Sequence, residues 1–426
     1  MSEARPVTPA AGPLDATVSI PGSKSLTNRA LVCAALAEGP STVDGALVAD
    51  DSEAMRTALA ALGAGIARDP SSGRLLVTGT GGRLRPGPLA LDMRLSGTTS
   101  RFLLPVVALG EGEYRIDGAP PLRARPMGPV LDGIRTLGAE VREEGEPGCL
   151  PVTIVAPGGL DGGEVAVAGD LSSQFLSGLL LAAPYARGGV RLRLTTTLVS
   201  RPYVELTQAV MGAFGVDVGP DLDVPAGRYR ATAYVVEPDA STASYFLAAA
   251  ALVGGRVTVK GLGAGTRQGD ARLADLLAAM GAEVERTATT TTVTGTGRLR
   301  GLGRVDLADM PDQAQTLAAL APFADGPTEV TGVGFIRGHE TDRIAAVVTE
   351  LGRLGVAARE TDDGFVVEPG TPRPARVATY DDHRMAMSFA LVGLRVPGVE
   401  IEDPDCVAKT FPGFWAALDG LSGPSL

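Results

Sequence analysis

Apolar positions along the chain recur at helical spacing and stop five times at the same punctuation, an apolar residue followed by Gly: Leu62-Gly63, Leu137-Gly138, Phe214-Gly215, Met280-Gly281 and Leu354-Gly355. Gly in the left-handed position commonly ends a helix, and β-prone residues follow each pair, Gly-Ala-Glu-Val at both 138 and 281. The copies lie 66 to 77 residues apart, so a period near 70 fits six units into 426 residues. A second helix class gives the same count. Six small-residue, nearly all-apolar segments start from polar residues at Ser23-Lys24-Ser25, Ser96-Gly97-Thr98, Ser172-Ser173-Gln174, Asp239-Ala240-Ser241, Pro311-Asp312-Gln313 and Asp381-Asp382-His383. A helix apolar on every side is buried, so these are predicted inside, with amphipathic partners such as Asp51 to Leu62 outside. Strand-like runs between them, Arg74 to Thr78, Arg191 to Thr195 and Thr291 to Thr294, complete units of the form βαβαββ.

The sixth unit ends in its outer helix near Trp415 to Leu418 and has no closing strands, whereas Leu14 to Ile20 reads as a strand with no unit of its own. The economical assignment closes the last sheet with that strand. Residues 21–236 then form one domain with repeats 1–3, and residues 1–20 plus 237–426 a discontinuous second with repeats 4–6. Two crossings near Pro21 and Glu237 are expected to act as a hinge, with the active site in the inter-domain cleft. Residues 1–13, rich in Pro and Ala, are expected to be partly disordered.

The net charge of -11 argues against non-specific nucleic-acid binding, so any anionic ligand must be met by local positive charge. No apolar run approaches the roughly 18 residues of a membrane span, and the N-terminus lacks a charged-then-apolar signal pattern; a cytoplasmic location is expected. Cys33, Cys149 and Cys406 have no metal-ligand spacing and read as unpaired, so neither a metal nor a disulfide is expected. The basic side chains are overwhelmingly Arg: the chain holds only Lys24, Lys260 and Lys409, and only His339 and His383.

Where the basic residues fall is informative. The macrodipole disfavours cations at a helix start, yet Lys24 and Arg29 open the first inner helix in Pro21-Gly-Ser-Lys-Ser-Leu-Thr-Asn-Arg29. Capping by Ser25 or Thr27 explains the hydroxyls but not the cations, whereas a bound anion explains both. Ser96-Gly-Thr-Thr-Ser-Arg101 repeats the arrangement, with Gly97 allowing close backbone approach. Leu122-Arg-Ala-Arg-Pro-Met127 sets Arg125 before an outer helix opened by Pro126. Leu171-Ser-Ser-Gln-Phe175 and Val199-Ser-Arg-Pro-Tyr203 add hydroxyls and an amide. Asp309-Met-Pro-Asp312 puts a carboxylate at a buried helix start, either as a cap or as a base. Gly338-His-Glu-Thr-Asp-Arg343 sets Arg343 at a position ordinary capping does not explain. Tyr380-Asp-Asp-His-Arg-Met385 pairs His383 with Arg384, and Ala408-Lys-Thr-Phe-Pro412 supplies Lys409.

Taken in order, GSKSLTNRA, SGTTSR, RARPMG, SSQF, SRPY, DMPD, HETDR, DDHRMAMS and AKTFP resemble the 5-enolpyruvylshikimate-3-phosphate synthase family over nearly the whole chain. The resemblance implies a two-domain inside-out α/β barrel of six βαβαββ repeats, three per domain, closing over its substrates. It also implies transfer of the enolpyruvyl group of phosphoenolpyruvate to the 5-hydroxyl of shikimate 3-phosphate by addition and elimination through a tetrahedral intermediate. Lys24, Ser25, Arg29, Ser172, Ser173, Gln174, Ser200, Asp312 and His339 would meet shikimate 3-phosphate. Lys24, Gly97, Arg125, Gln174, Arg343, Arg384 and Lys409 would meet phosphoenolpyruvate. Asp312 would take the hydroxyl proton and Glu340 protonate the methylene, with Lys24 and Lys409 stabilising charge and His383 completing the catalytic set. No cofactor is expected, a monomer is expected, and glyphosate is expected to compete with phosphoenolpyruvate. Two departures bear on shikimate 3-phosphate: His339 stands where many members have Lys, and Phe335 where some have a polar side chain. The alternatives are a transferase acting on UDP-N-acetylglucosamine, whose family carries a Cys that the loop Asp117 to Pro126 lacks, and a non-catalytic phosphometabolite-binding repeat protein.

Overall fold

The computed structural model describes residues 3–422. They divide into two compact units, a continuous one from Gly22 to Val236 and a discontinuous one that joins the chain up to Pro21 with the chain from Glu237 onward. Each unit contains three sheets, three inner helices and three outer helices. The inner helices are Lys24–Leu36, Gly97–Val107 and Ser173–Ala182 in the continuous unit, and Ala240–Val253, Ala314–Leu320 and His383–Gly393 in the discontinuous one. Their small and aliphatic residues are buried all round; every residue from Leu26 to Leu36 is. At roughly 1.5–3 kcal/mol for each fully buried Leu or Val, these helices are the main favourable term in each core. The outer helices bury one stripe each, as Ile344, Ala346, Val347 and Leu351 do in Arg343–Arg353. Gly63, Gly138, Gly215, Gly281 and Gly355 all take positive φ, between 80° and 111°, at the helix ends where the sequence sets them.

The second repeat shows the plain pattern of a sheet. Leu89–Asp92 runs parallel to Glu111–Asp117, which pairs antiparallel with Val152–Pro157, and Glu140–Glu143 forms the far edge. The fifth repeat is built the same way from Gly303–Asp306, Thr328–Thr331, Gly364–Val367 and Ala358–Thr361.

The first and fourth repeats exchange their opening strands. Leu14–Ser19 precedes the first inner helix but lies parallel to Gly255–Lys260 of the fourth repeat, with Leu14 opposite Gly255 and Ser19 opposite Lys260. Ala233–Val235 precedes the fourth inner helix but lies parallel to Glu38–Asp44 of the first repeat. The N-terminal strand therefore does not complete the last sheet, as the sequence suggests. That sheet, Arg376–Val377 with Glu400–Ile401, takes Arg5–Pro6 as its third strand. The reason is geometric: the chain crosses after each opening strand and before its helix, so the strand stays behind and fills the parallel slot left open in its own unit. Residues 3–13 are ordered rather than loose, with Val7 N donating to Val399 O at 3.0 Å and Ala10 N to Leu394 O at 2.9 Å. Gly22 sits at the first crossing, where a Cβ would lie 1.9 Å from Gly45 O, so the chain passes only if that residue has no side chain. Among the described residues no helix is long and apolar enough to cross a membrane.

Candidate functional site

In the continuous unit, Ser23 caps the first inner helix by accepting from Leu26 N, leaving neither Ser25 nor Thr27 in that role. The Thr27 hydroxyl accepts from Leu47 N instead. Lys24 Nζ lies 3.1 Å from Oδ2 of Asp51, a buried acid in the first turn of outer helix Asp50–Ala61. The dipole of that helix favours a carboxylate there, and the ion pair holds the ammonium at the inner helix start. Arg29 is 1% exposed and mostly committed to the fold. Its Nε donates to Thr207 Oγ1 at 2.7 Å, Nη1 to Ser25 O at 3.0 Å, and Nη2 to Ser177 Oγ and Tyr203 O at 3.2 and 3.0 Å, leaving one Nη1 hydrogen for a ligand. Burial pulls its guanidinium down to about 10.

Ser96 caps the second inner helix through Thr99 N at 3.2 Å. At Gly97 a Cβ would stand 2.7 Å from Arg125 Nη1 and 2.8 Å from Cζ, so the guanidinium occupies the space a side chain would need. Arg125 sits in a link between the short helix Pro120–Arg123 and outer helix Gly128–Thr136. The outer helix starts two residues later than the Pro126 opening expected from sequence, with Met127 as its cap. Arg101, one turn inside the inner helix, donates Nη2 to Pro126 O at 3.0 Å and Nη1 to Gln174 Oε1 at 2.9 Å. It fixes the loop that carries Arg125 and engages the carbonyl end of the Gln174 amide, so that Nε2 is the end able to meet an anion. Ser172 caps the third inner helix through Gln174 N, and Ser173 beside it is buried. Ser200 is buried at φ 53°, a strained conformation of the kind that clusters at functional sites.

The discontinuous unit gathers its charges around Arg343, the first residue of an outer helix capped by Asp342. Arg343 is 1% exposed and touches three carboxylates: Nε to Asp382 Oδ2 at 2.8 Å, Nη1 to Asp312 Oδ1 at 2.9 Å and Nη2 to Glu340 Oε2 at 2.9 Å. Burial opposes its charge, but Asp382, Glu340 and Asp312 more than offset this and keep its pKa above the ordinary value. The second oxygen of Asp312 accepts from Arg384 Nη2 at 2.7 Å, so Asp312 serves as an ion-pair partner rather than a helix cap. Burial alone would push its carboxyl up; Arg384 and Arg343 outweigh burial and hold it well below the usual carboxylate range. The second oxygen of Glu340 accepts from Lys409 Nζ at 3.1 Å. Asp382, wholly buried, caps the sixth inner helix through Arg384 N. Arg384 Nη1 also reaches the Tyr245 hydroxyl at 3.3 Å, and burial pushes that phenol up to about 12.

His339 Nδ1 lies 3.2 Å from Arg343 Nη1, and the Phe335 ring meets the imidazole edge-on with centroids 5.7 Å apart. His383 is 1% exposed with Nδ1 3.8 Å from Asp382 Oδ1. Its ring is buried beside Asp382, the acid that anchors Arg343. The sequence reading did not select Asp51, Arg101, Asp382 or Tyr245. Asp51 and Asp382 lie in first-turn and cap positions, where an acid ordinarily needs no further explanation.

The family model for EPSP synthase (3-phosphoshikimate 1-carboxyvinyltransferase) matches residues 9–418. The 3-phosphoshikimate 1-carboxyvinyltransferase of Nostoc punctiforme is 48% identical over 408 residues, 95% of this chain and 95% of that one. The chloroplastic protein of the same name from Brassica napus is 43% identical over 430 residues, 95% of this chain and 83% of that one. Among solved structures, EPSP synthase from Acinetobacter baumannii aligns with a TM-score of 0.83 at 27% identity, covering 99% of this chain and 98% of that one. The six repeats, the residues gathered at their helix starts and these matches along the full length agree: the chain belongs to the EPSP synthase family and has its two-domain inside-out α/β fold.

Proposed function

We propose that this chain transfers the enolpyruvyl group of phosphoenolpyruvate to the 5-hydroxyl of shikimate 3-phosphate and releases inorganic phosphate, a step of aromatic amino acid biosynthesis. The observation that carries this reading is the run Lys409, Glu340, Arg343, Asp312, Arg384, in which two acids lie within hydrogen-bond reach of three cations. A site that only held anions would be weakened by acids there. A site that must move protons beside anionic substrates requires them.

The acceptor hydroxyl adds to C2 of phosphoenolpyruvate while C3 is protonated; phosphate then leaves, C3 loses a proton and the double bond reforms. Asp312 takes the hydroxyl proton. Glu340, which accepts from the Lys409 ammonium at 3.1 Å in the free protein, delivers the proton to C3. Lys24 and Lys409 stabilise the charge that develops. Arg125, Gln174, Arg343, Arg384 and Lys24 hold phosphoenolpyruvate against the bare backbone of Gly97. Ser25, the remaining hydrogen of Arg29, Ser172, Ser173, Ser200 and His339 serve shikimate 3-phosphate. With this activity goes a monomeric cytoplasmic enzyme that uses no cofactor, because phosphoenolpyruvate arrives activated. Phosphate release should require phosphoenolpyruvate and shikimate 3-phosphate together. Release with UDP-N-acetylglucosamine instead would reassign the acceptor, and no release with either would leave a binding protein.

A further inference from the structure

In the cluster around Arg343, each of the cations Arg343, Arg384 and Lys409 lies against an acid, drawn from Asp312, Glu340 and Asp382. An entering anion therefore meets cations that already carry acid partners, and it competes with those carboxylates for them.

The geometry decides which pairs can open. Arg343 is held from behind by the wholly buried Asp382, through Nε at 2.8 Å and Nη2 at 3.4 Å, so it is the fixed member. Asp312 and Glu340 keep side-chain exposures of 19% and 14%, and their outer partners Arg384 and Lys409 keep 9% and 13%. These two outer pairs form the accessible edge of the cluster. We infer that an incoming anion replaces Asp312 on Arg384 and Glu340 on Lys409, and that the exchange draws a proton from solvent onto the displaced Asp312 carboxylate when the pH is acidic. This rests on the functional reading, which supplies both the natural anion and its place at these cations.

Asp312 is faced by Arg343, Arg384, His339 and Glu340, with Tyr245 across Arg384; Lys409 is faced by Glu340 and by Asp381. Once Arg384 turns to the ligand, Asp312 loses a guanidinium partner and gains a neighbouring anion, and both changes favour its protonated form. The free enzyme thus holds Asp312 as a poor base, and arrival of the co-substrate makes it a competent one. Proton abstraction from the acceptor then waits until phosphoenolpyruvate is in place.

Calorimetric titration of sulfate, a dianion that does not titrate across this range, in pairs of buffers with different protonation enthalpies measures the linked proton directly. Uptake of a few tenths of a proton or more per sulfate is expected at pH 5.5, falling toward zero at pH 8. Asp312→Asn should abolish most of that uptake and bind sulfate severalfold more tightly, because the internal competitor is weakened. Glu340→Gln should tighten sulfate in the same direction while retaining the uptake, which keeps the test open if one variant folds poorly. Binding without buffer dependence at pH 5.5, uptake unchanged in Asp312→Asn, or weaker sulfate binding in both variants would overturn the inference. Turnover of phosphoenolpyruvate without proton linkage sinks the exchange alone. Proton-linked sulfate binding without any phosphate-release activity sinks the functional reading alone.

Discussion

The two units use the same repeat to present cations at helix starts, but they hold those cations differently. In the continuous unit Arg29 is held by hydroxyls and backbone carbonyls, Arg101 by an amide oxygen and the Pro126 carbonyl, and Lys24 by Asp51. In the discontinuous unit each of Arg343, Arg384 and Lys409 rests on a carboxylate, and Arg343 on three. Neutral acceptors fix a guanidinium without cancelling its charge, which suits a standing anion receptor. Carboxylates cancel it, which suits a place where charge is exchanged and protons move. The proposed function thus divides into a gripping half and a reacting half that differ in the partners of their cations, with Lys24 on Asp51 the exception in the gripping half.

Substitutions test that division. The largest effects belong to the reacting half: Glu340→Gln and Asp312→Ala should each lower kcat by about 10²-fold or more with circular dichroism unchanged. Near-normal turnover in either removes that residue from the chemistry. In the gripping half, Arg125→Lys replaces a planar fork by a point charge and should raise KM for phosphoenolpyruvate about tenfold or more while kcat falls less. A kcat loss as large as that of Glu340→Gln would erase the distinction between the halves. Gly97→Ala should act through the same arginine, because the added methyl takes the space of Nη1 and Cζ; about tenfold in KM is expected, with weaker inhibition by glyphosate, which should compete with phosphoenolpyruvate in the unsubstituted enzyme. Asp51→Asn should cost only severalfold in steady-state rate, with Asp51→Glu restoring it.

The smallest effect is on stability. Because its folded pKa lies below the unfolded value near 3.9, ionised Asp312 stabilises the fold above that pH, and the contribution is lost as pH falls through the folded pKa. Asp312→Asn should lower Tm by about 2 to 4 °C at neutral pH. The gap should close in strongly acidic buffer; a gap that widens on acidification would mean the carboxylate is not the stabilising form.

Much of the fold is legible in the sequence because its signals are local. A Gly after an apolar residue marks Gly63 or Gly281 as a helix end whatever surrounds it, and a Ser or Asp before an apolar run marks Ser96, Ser172, Asp239 and Asp382 as caps, although Ser23 takes the role expected of Ser25 or Thr27. The site is legible in part, since a cation at a helix start contradicts the dipole and asks for an anion. The partners of those cations are not. Arg101 meets Gln174 across 73 positions and Arg384 meets Asp312 across 72, distances over which only assembly of the repeats brings residues together. The burial of His383 is hidden for a similar reason: whether a residue one step past a cap turns outward or inward depends on what packs above it. The strand exchange is equally silent, because Leu14–Ser19 and Ala233–Val235 suit either parallel slot.

That exchange sets a timetable for synthesis. The continuous unit needs nothing outside Gly22 to Val236 to fill its sheets, so it can close while the ribosome is still making the rest. Strand Leu14–Ser19 emerges before any of that unit, yet its partner Gly255–Lys260 follows some 240 residues later. At about 5–20 residues per second it waits tens of seconds with an open hydrogen-bonding edge. The final sheet closes last, because Arg5–Pro6 joins it only after Glu400–Ile401 has been made.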